Sequence, residues 1–341
     1  ASELNMQSKH SIEKQTAHNV DCFTTVSDIT AKECAQLLDK PVDVVLPNGF
    51  DNSFVPSAAA FRSRRQEVRK FILRLANVLT GDTFDDKSTM IVSTSGRYEF
   101  RNKGIDAFID SISKLRGADG LGKRVIALIE VPAWVKAPRE DVKARLADSS
   151  RVYDTPLPNP VITHVLNNEW EDKVLGMASR LGIDNTDHRV TLIFVPCYLT
   201  GDDGIFNMPY YDAILGNDLC VYPSYYEPWG YTPLEAVAFH VPCITTDLAG
   251  FGLWANSVIG RYGEIADGVK VVHRTDTNYD ALTTDIRDTI AEYSALSPKD
   301  VTKVRRKALA LSEKALWSHF IKYYHEAYDM ALRKAAKRTD K

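Results

Sequence analysis

Cysteine is scarce and scattered in this sequence. The 341-residue chain holds five, Cys22, Cys34, Cys197, Cys220 and Cys243, an odd number with no C-x-x-C pair. That argues against a disulfide framework and against a cysteine zinc site, and no metal is expected. Several of the five lie in apolar strand-like runs, where they serve as small buried hydrophobes. Long hydrophobic runs are missing too. Nothing approaches the ~18–20 apolar residues that a bilayer-spanning helix needs, and Ala1 to His10 lacks the apolar core of a signal peptide. Nor is there a basic excess. The 42 Lys and Arg face 45 Asp and Glu, a formal net charge of -3, which weighs against a general nucleic-acid binder. Repeats, low-complexity tracts and long charge blocks are absent. What is present, 44% hydrophobic and 26% charged residues, builds full cores, and the length suits about two domains. The expected class is an α/β enzyme of a reducing compartment, the cytoplasm.

Apolar, β-rich runs alternate with helical patterns. The strands are expected at Cys22–Val26, Val42–Leu46, Thr89–Ser95, Arg124–Val131, Arg189–Val195, Leu219–Tyr222, Pro242–Thr245 and Val269–His273. Several are solidly apolar, as strands buried on both faces of a parallel sheet are. Between them, Phe61–Leu79, Ile105–Leu115 and Glu169–Leu181 carry apolar residues at helical spacing. This rhythm predicts a doubly wound fold. The first fifty residues supply one strand–helix–strand unit, with Ser27 capping its helix, which cannot bury both its faces alone. Six strands follow. The chain therefore reads as the tail of one Rossmann-like domain (1–57), a complete one (58–310) and a closing helix (311–341). An upstream portion is expected, so the chain is read as a fragment. The apolar stripe Leu309, Leu316, Phe320, Tyr324, Tyr328 and Leu332 predicts one helix over Asp300–Lys334.

The richest stretch is Tyr222–Gly252. Glu227 and Glu235 stand eight residues apart across the turn Pro228-Trp229-Gly230. Thr232-Pro233-Leu234-Glu235 predicts a helix start, with Thr as cap, Pro at the first helical position and Glu completing a capping box. The amides of Gly230, Tyr231 and Thr232 would then face an anion with the helix dipole behind them. The corner follows the strand Leu219–Tyr222, at the strand end where open α/β sheets bind ligands. Glu235 has a structural role available in the capping box. Glu227 has none evident. A second loop, Ser95–Gly104, places Arg97 and Lys103 over the same crevice, one a bidentate fork for a pyrophosphate and the other a point charge.

SGRYEFRNKGIDAFIDSI and YPSYYEPWGYTPLEAVAFHVPCITTDLAGFG, with Phe23–Phe50 beside them, resemble the animal and fungal type of glycogen synthase, glycosyltransferase family 3. The resemblance covers most of the chain and breaks between Pro132 and Val161. It implies a GT-B fold, with the active site between two Rossmann-like domains. It further implies retaining transfer of glucose from UDP-glucose to the 4-hydroxyl of an α-1,4-glucan, with donor and glucan as partners, no membrane and no cofactor. By resemblance Glu227 contacts the donor glucose, Glu235 the ribose, Arg97 and Lys103 the diphosphate, the amides of Gly230, Tyr231 and Thr232 its distal phosphate, and Tyr210 stacks on uracil. Catalysis is expected from Glu227, Arg97 and Lys103 acting by positioning and charge, the acceptor attacking on the face that the phosphate leaves. Two alternatives stay open: a GT-B transferase using ADP-glucose or another sugar nucleotide, and a non-catalytic nucleotide- or glucan-binding module.

Two departures from the family's pattern matter. The stretch from Pro132 to Val161 spans the place of a long helical insertion used for subunit contacts, so an oligomer is not expected to be that tetramer. The family's arginine cluster for glucose 6-phosphate lies on a late helix, and here only Arg305 and Lys307 remain, with Ala310 in the last position. The fragment alone is expected to bind donor without turning it over.

Overall fold

The structure is a computed structural model and describes residues 3–339. In chain order its strands are β1 (Thr24–Thr25), β2 (Val44–Val45), β3 (Thr89–Ser95), β4 (Arg124–Glu130), β5 (Val135–Pro138), β6 (His164–Leu166), β7 (Val190–Val195), β8 (Leu219–Val221), β9 (Cys243–Thr246) and β10 (Val269–Val272). Six of them form one parallel sheet in the order β10-β9-β8-β3-β4-β7. Numbered from β3, that is the doubly wound order 3-2-1-4-5-6, whose direction reverses between β3 and β8. The expected α/β fold with one complete doubly wound domain is thus observed.

Each central strand is buried on both faces, so alternate residues feed two cores. Along β4, Val125, Ala127 and Ile129 pack with Phe108, Ile109 and Ile112 of the helix Ile105–Leu115. Ile126 and Leu128 pack the other way, against Ile72, Leu75 and Leu79 of the helix Ala58–Thr80. That helix ends at Gly81, whose φ of 75° and N–H to the Asn77 carbonyl close the last turn.

The amino-terminal unit has its own two-stranded parallel sheet, β1 with β2. Its helix Asp28–Leu38 is capped by Ser27, which accepts from the Thr30 amide as expected. The unit docks beside the large sheet. A Cβ on Gly250 would lie 2.6 Å from that of Ser27, and the Tyr226 hydroxyl donates to Glu33.

Two local expectations are corrected, and one stretch without an expectation gains structure. Glu169–Leu181 divides into a 3-10 turn, Glu169–Glu171, and a helix, Lys173–Arg180, because Asp172 caps the latter by accepting from the Leu175 amide. Asp300–Lys334 is two helices, Pro298–Glu313 and Trp317–Thr339. The break forms where Phe50 inserts, its amide donating to the Ala315 carbonyl and its carbonyl accepting from the Trp317 amide. Only part of the anticipated stripe is therefore buried: Phe320 packs on Trp229 and Trp254, while Tyr328 and Leu332 face solvent. Finally, the stretch after Pro132 folds as an antiparallel pair, β5 with β6, around the helix Glu140–Ala147. Among the described residues no helix is long and apolar enough to cross a membrane.

Candidate active site at the sheet switch point

Both motif loops leave the carboxyl ends of the two strands that flank the switch point, β3 and β8. Glu227 is fixed by long-range pairing. Its amide donates to Leu248, its carbonyl accepts from Gly250, and it bridges to Ala249. The side chain so aimed accepts a hydrogen bond from Lys103 across the crevice. Both side chains are about four-fifths buried, 16% exposed for Lys103 and 20% for Glu227. Glu227 thus has a structural partner that its sequence position did not reveal.

The helix after the turn begins earlier than expected. Gly230 is its cap residue, with φ 108°, and Tyr231–Ala238 is helical. Thr232 and Pro233 are therefore inside the first turn, and the capping box does not form. Glu235 instead accepts from the Tyr211 hydroxyl at 2.9 Å, and burial raises its carboxyl pKa. The amides expected at the corner stay free despite this shift. The amides of Gly230, Tyr231 and Thr232 donate to no group among the described residues, as befits a helix N-terminus open to a ligand.

Arg97 is the most exposed of the expected charged residues. Its side chain is 75% exposed and pairs with Glu99 at 3.1 Å. It also lines a cavity of about 280 Å³ whose walls include Gly96, Tyr198, Tyr210 and Thr232. Tyr210 is held there by a 3.1 Å hydrogen bond between its hydroxyl and that of Ser95. The structure therefore gathers Arg97, Tyr210 and Thr232 round one cavity and pairs Lys103 with Glu227 beside it. A larger hollow, about 660 Å³, opens on the side of the helix Ile105–Leu115 between Arg101, Arg180 and Arg274. It holds none of the expected site residues.

A sequence model described as glycogen synthase matches residues 1–150 and 143–339. The chain belongs to the glycogen synthase family. Among its relatives, glycogen [starch] synthase of Neurospora crassa is 29% identical over 96% of this chain and 54% of its own length. Isoform 2 of Saccharomyces cerevisiae is 27% identical over 96% and 55%, and the liver protein of Rattus norvegicus 26% over 98% and 54%. The chain spans about half the length of these relatives. The Neurospora alignment runs over 385 positions against 341 residues here, so that relative carries residues without a counterpart in this member of the family. Solved structures share the fold at low identity. Anabaena HepE in complex with UDP-glucose has a TM-score of 0.53 at 14% identity, covering 100% of this chain and 70% of its own. WaaG, a lipopolysaccharide glycosyltransferase, has 0.51 at 12%, covering 90% and 62%.

Two features of this glycogen synthase family member escaped sequence reasoning. Glu130, at the end of β4, also lines the 280 Å³ cavity. It is 6% exposed and neither carboxylate oxygen has a partner. A lone acid inside the apolar run Arg124–Val131 was the available signal. The second is a cluster of His164, Cys197 and Asp203, whose ligand-type atoms lie within 4.8 Å of one another. The polar atoms of His164 and Asp203 are already engaged. The His164 ring nitrogens meet the Thr163 hydroxyl and the Asp203 carbonyl, and the Asp203 carboxylate accepts three loop amides. Burial pushes the Cys197 thiol up to about 12. The cluster reads as a loop closure.

Arg305, one of the two cations left of the expected effector cluster, turns inward. Its Nη1 donates to the Asn217 carbonyl at 3.3 Å, and its Nη2 is buried without a partner.

Proposed function

We propose that this chain carries the donor site of a glycogen synthase. The proposed reaction is retaining transfer of glucose from UDP-glucose to the 4-hydroxyl of an α-1,4-glucan. The observation that carries the reading is the anion corner at the switch point, three unpartnered amides beside Lys103 and Arg97, in a chain of this family. A diphosphate placed there meets a helix N-terminus and two cations, which stabilise the negative charge that grows as the glycosidic C–O bond breaks. That arrangement requires no metal. The Lys103 ammonium has three donors and serves the phosphate while keeping Glu227. Glu227 then faces the sugar as the anomeric carbon gains oxocarbenium character, Glu235 takes the ribose, and Tyr210 packs on the base. The acceptor attacks from the face the phosphate leaves. Five free cysteines suit a reducing compartment such as the cytoplasm, and the shortened Pro132–Val161 stretch argues against an insertion-built tetramer.

The test is calorimetry on the 341-residue chain with UDP, UDP-glucose and ADP-glucose. Weak binding of the uridine ligands is expected. Arg97→Ala and Lys103→Ala should each cost about 1–3 kcal/mol, as charged hydrogen bonds do. No binding of UDP at millimolar concentration overturns the reading, and preference for ADP-glucose corrects the donor.

Glucose 6-phosphate should change the transfer rate of the protein less than twofold. Several convergent cations normally hold one phosphate, and here Ala310 removes one and the inward turn of Arg305 another. Lys307 is already shared with Asp267. A severalfold activation at millimolar effector would contradict this.

A further inference from the structure

Glu130 ends β4 between Ser95 of β3 and Val195 of β7, its register partners on either side. Strand alternation puts its side chain on the face of Ile126 and Leu128. Ser95, directly beside it, holds the Tyr210 hydroxyl. A buried carboxyl without a hydrogen bond is costly, and nothing in the surrounding fold uses it. The remaining wall of its cavity is suited to a flat ring: Tyr198, Tyr210, Pro132 and Leu199, with Arg97 and Thr232 marking the anion corner. A few placed polar groups, here Glu130 and Ser95, among apolar and aromatic walls are how a pocket fixes a ligand's orientation.

Both carboxylate oxygens are closed off in the free chain, and we infer that the Glu130 side chain turns into the cavity and reads the base of the nucleotide donor, its O–H donating to a ring carbonyl and its C=O accepting a ring N–H. The imide edge of uracil offers both groups side by side. The inference rests on the donor-site reading above and adds the residue that selects the base. Burial supplies the required proton: desolvation pushes the Glu130 carboxyl up to about 8, so it is a neutral acid at pH 7. Its neighbours are Arg97 from the β3 loop, Cys197 and Tyr198 beyond β7, Tyr210, and Cys220 on β8. Burial raises Cys197 to about 12, Cys220 to about 11 and Tyr210 well above the usual phenol value, so these three stay neutral while Glu130 titrates.

The experiment is calorimetry of the 341-residue chain with UDP and with inorganic pyrophosphate, at pH 7 and pH 8.5. Ionisation of an acid titrating near 8 should weaken UDP binding about fourfold across that interval. Glu130→Gln keeps one donor and one acceptor without a titratable proton. It should hold the pH 7 affinity and lose the pH dependence. Glu130→Leu should weaken UDP about tenfold and leave pyrophosphate unchanged, with melting curves confirming that both variants fold. Should the Leu variant unfold, the Gln comparison decides. UDP binding that depends on Arg97 but ignores Glu130, or an unaltered pH slope in Glu130→Gln, overturns this inference alone. Failure of wild-type protein to bind UDP overturns it together with the donor-site reading.

Discussion

On the proposed donor-site reading, Glu227→Gln should lower kcat for glucose transfer at least ~100-fold, about 2.7 kcal/mol of lost transition-state stabilisation, while the protein still folds. The substitution keeps volume and a hydrogen-bond acceptor but removes the charge. In the free site, Glu227 compensates the Lys103 ammonium, and both are largely buried. An amide partner still accepts from Lys103, so the fold loses only about 1–2 kcal/mol. The reaction loses more. In the proposed site the carboxylate accepts hydrogen bonds from the donor glucose, which an amide supports less well. The backbone of Glu227 is pinned by Leu248 and Gly250, so the carboxylate cannot be replaced by a neighbour swinging in. Steady-state kinetics and a thermal melt of the same preparation check this. A kcat within fivefold of wild type would remove Glu227 from the chemistry and leave it as a structural partner of Lys103.

What the sequence reveals of such a site is what local chemistry controls. The central strands were readable because burial on both faces makes them solidly apolar, and Ile105–Leu115 because its apolar residues recur at helical spacing. The grouping of Arg97, Lys103, Glu227 and the Gly230 corner was readable because strand–loop–helix order puts both loops at one sheet edge. The remaining features depend on partners distant in sequence. Thr232-Pro233-Leu234-Glu235 has a full capping signature, yet the helix starts at Tyr231. The pairing of Glu227 with Leu248 and Gly250 turns the chain at Gly230, and Tyr211 takes the Glu235 carboxylate. The break before Trp317 likewise comes from Phe50, far upstream, while Ala315 and Leu316 continue the apolar pattern. Glu130 escaped notice because periodicity averages over a strand, and one acid in seven residues leaves the strand assignment intact. Only its lack of a partner in three dimensions marks it.

Gly104→Ala should destabilise the protein by roughly 3 kcal/mol or more and abolish donor binding, although position 104 itself bears no functional group. Gly104 caps the helix Ile105–Leu115 at φ 68°, ψ 26°. For an L-residue that conformation costs about 1–2 kcal/mol. Space is the larger problem. A Cβ there would lie 1.9 Å from the Pro223 carbonyl oxygen and 2.9 Å from Arg274 Nη1. The obstacle is backbone, anchored by Arg274, which donates to that same carbonyl, so relief requires the two loops to separate; overpacking of this kind adds about 1–3 kcal/mol. Pro223 opens the loop that carries Glu227, and Gly104 directly follows Lys103. Forcing them apart breaks the pairing that closes the site. Gly176→Ala is the control. Gly176 lies inside the helix Lys173–Arg180, and its nearest obstacle is the far end of Arg180 at 3.8 Å. Alanine there should be neutral or stabilise by up to about 1 kcal/mol. Thermal melts of the two variants should therefore move in opposite directions or differ by about 5 °C or more. Equal melting temperatures, with UDP binding retained in Gly104→Ala, would show that the close approach of the two loops does not hold the site together.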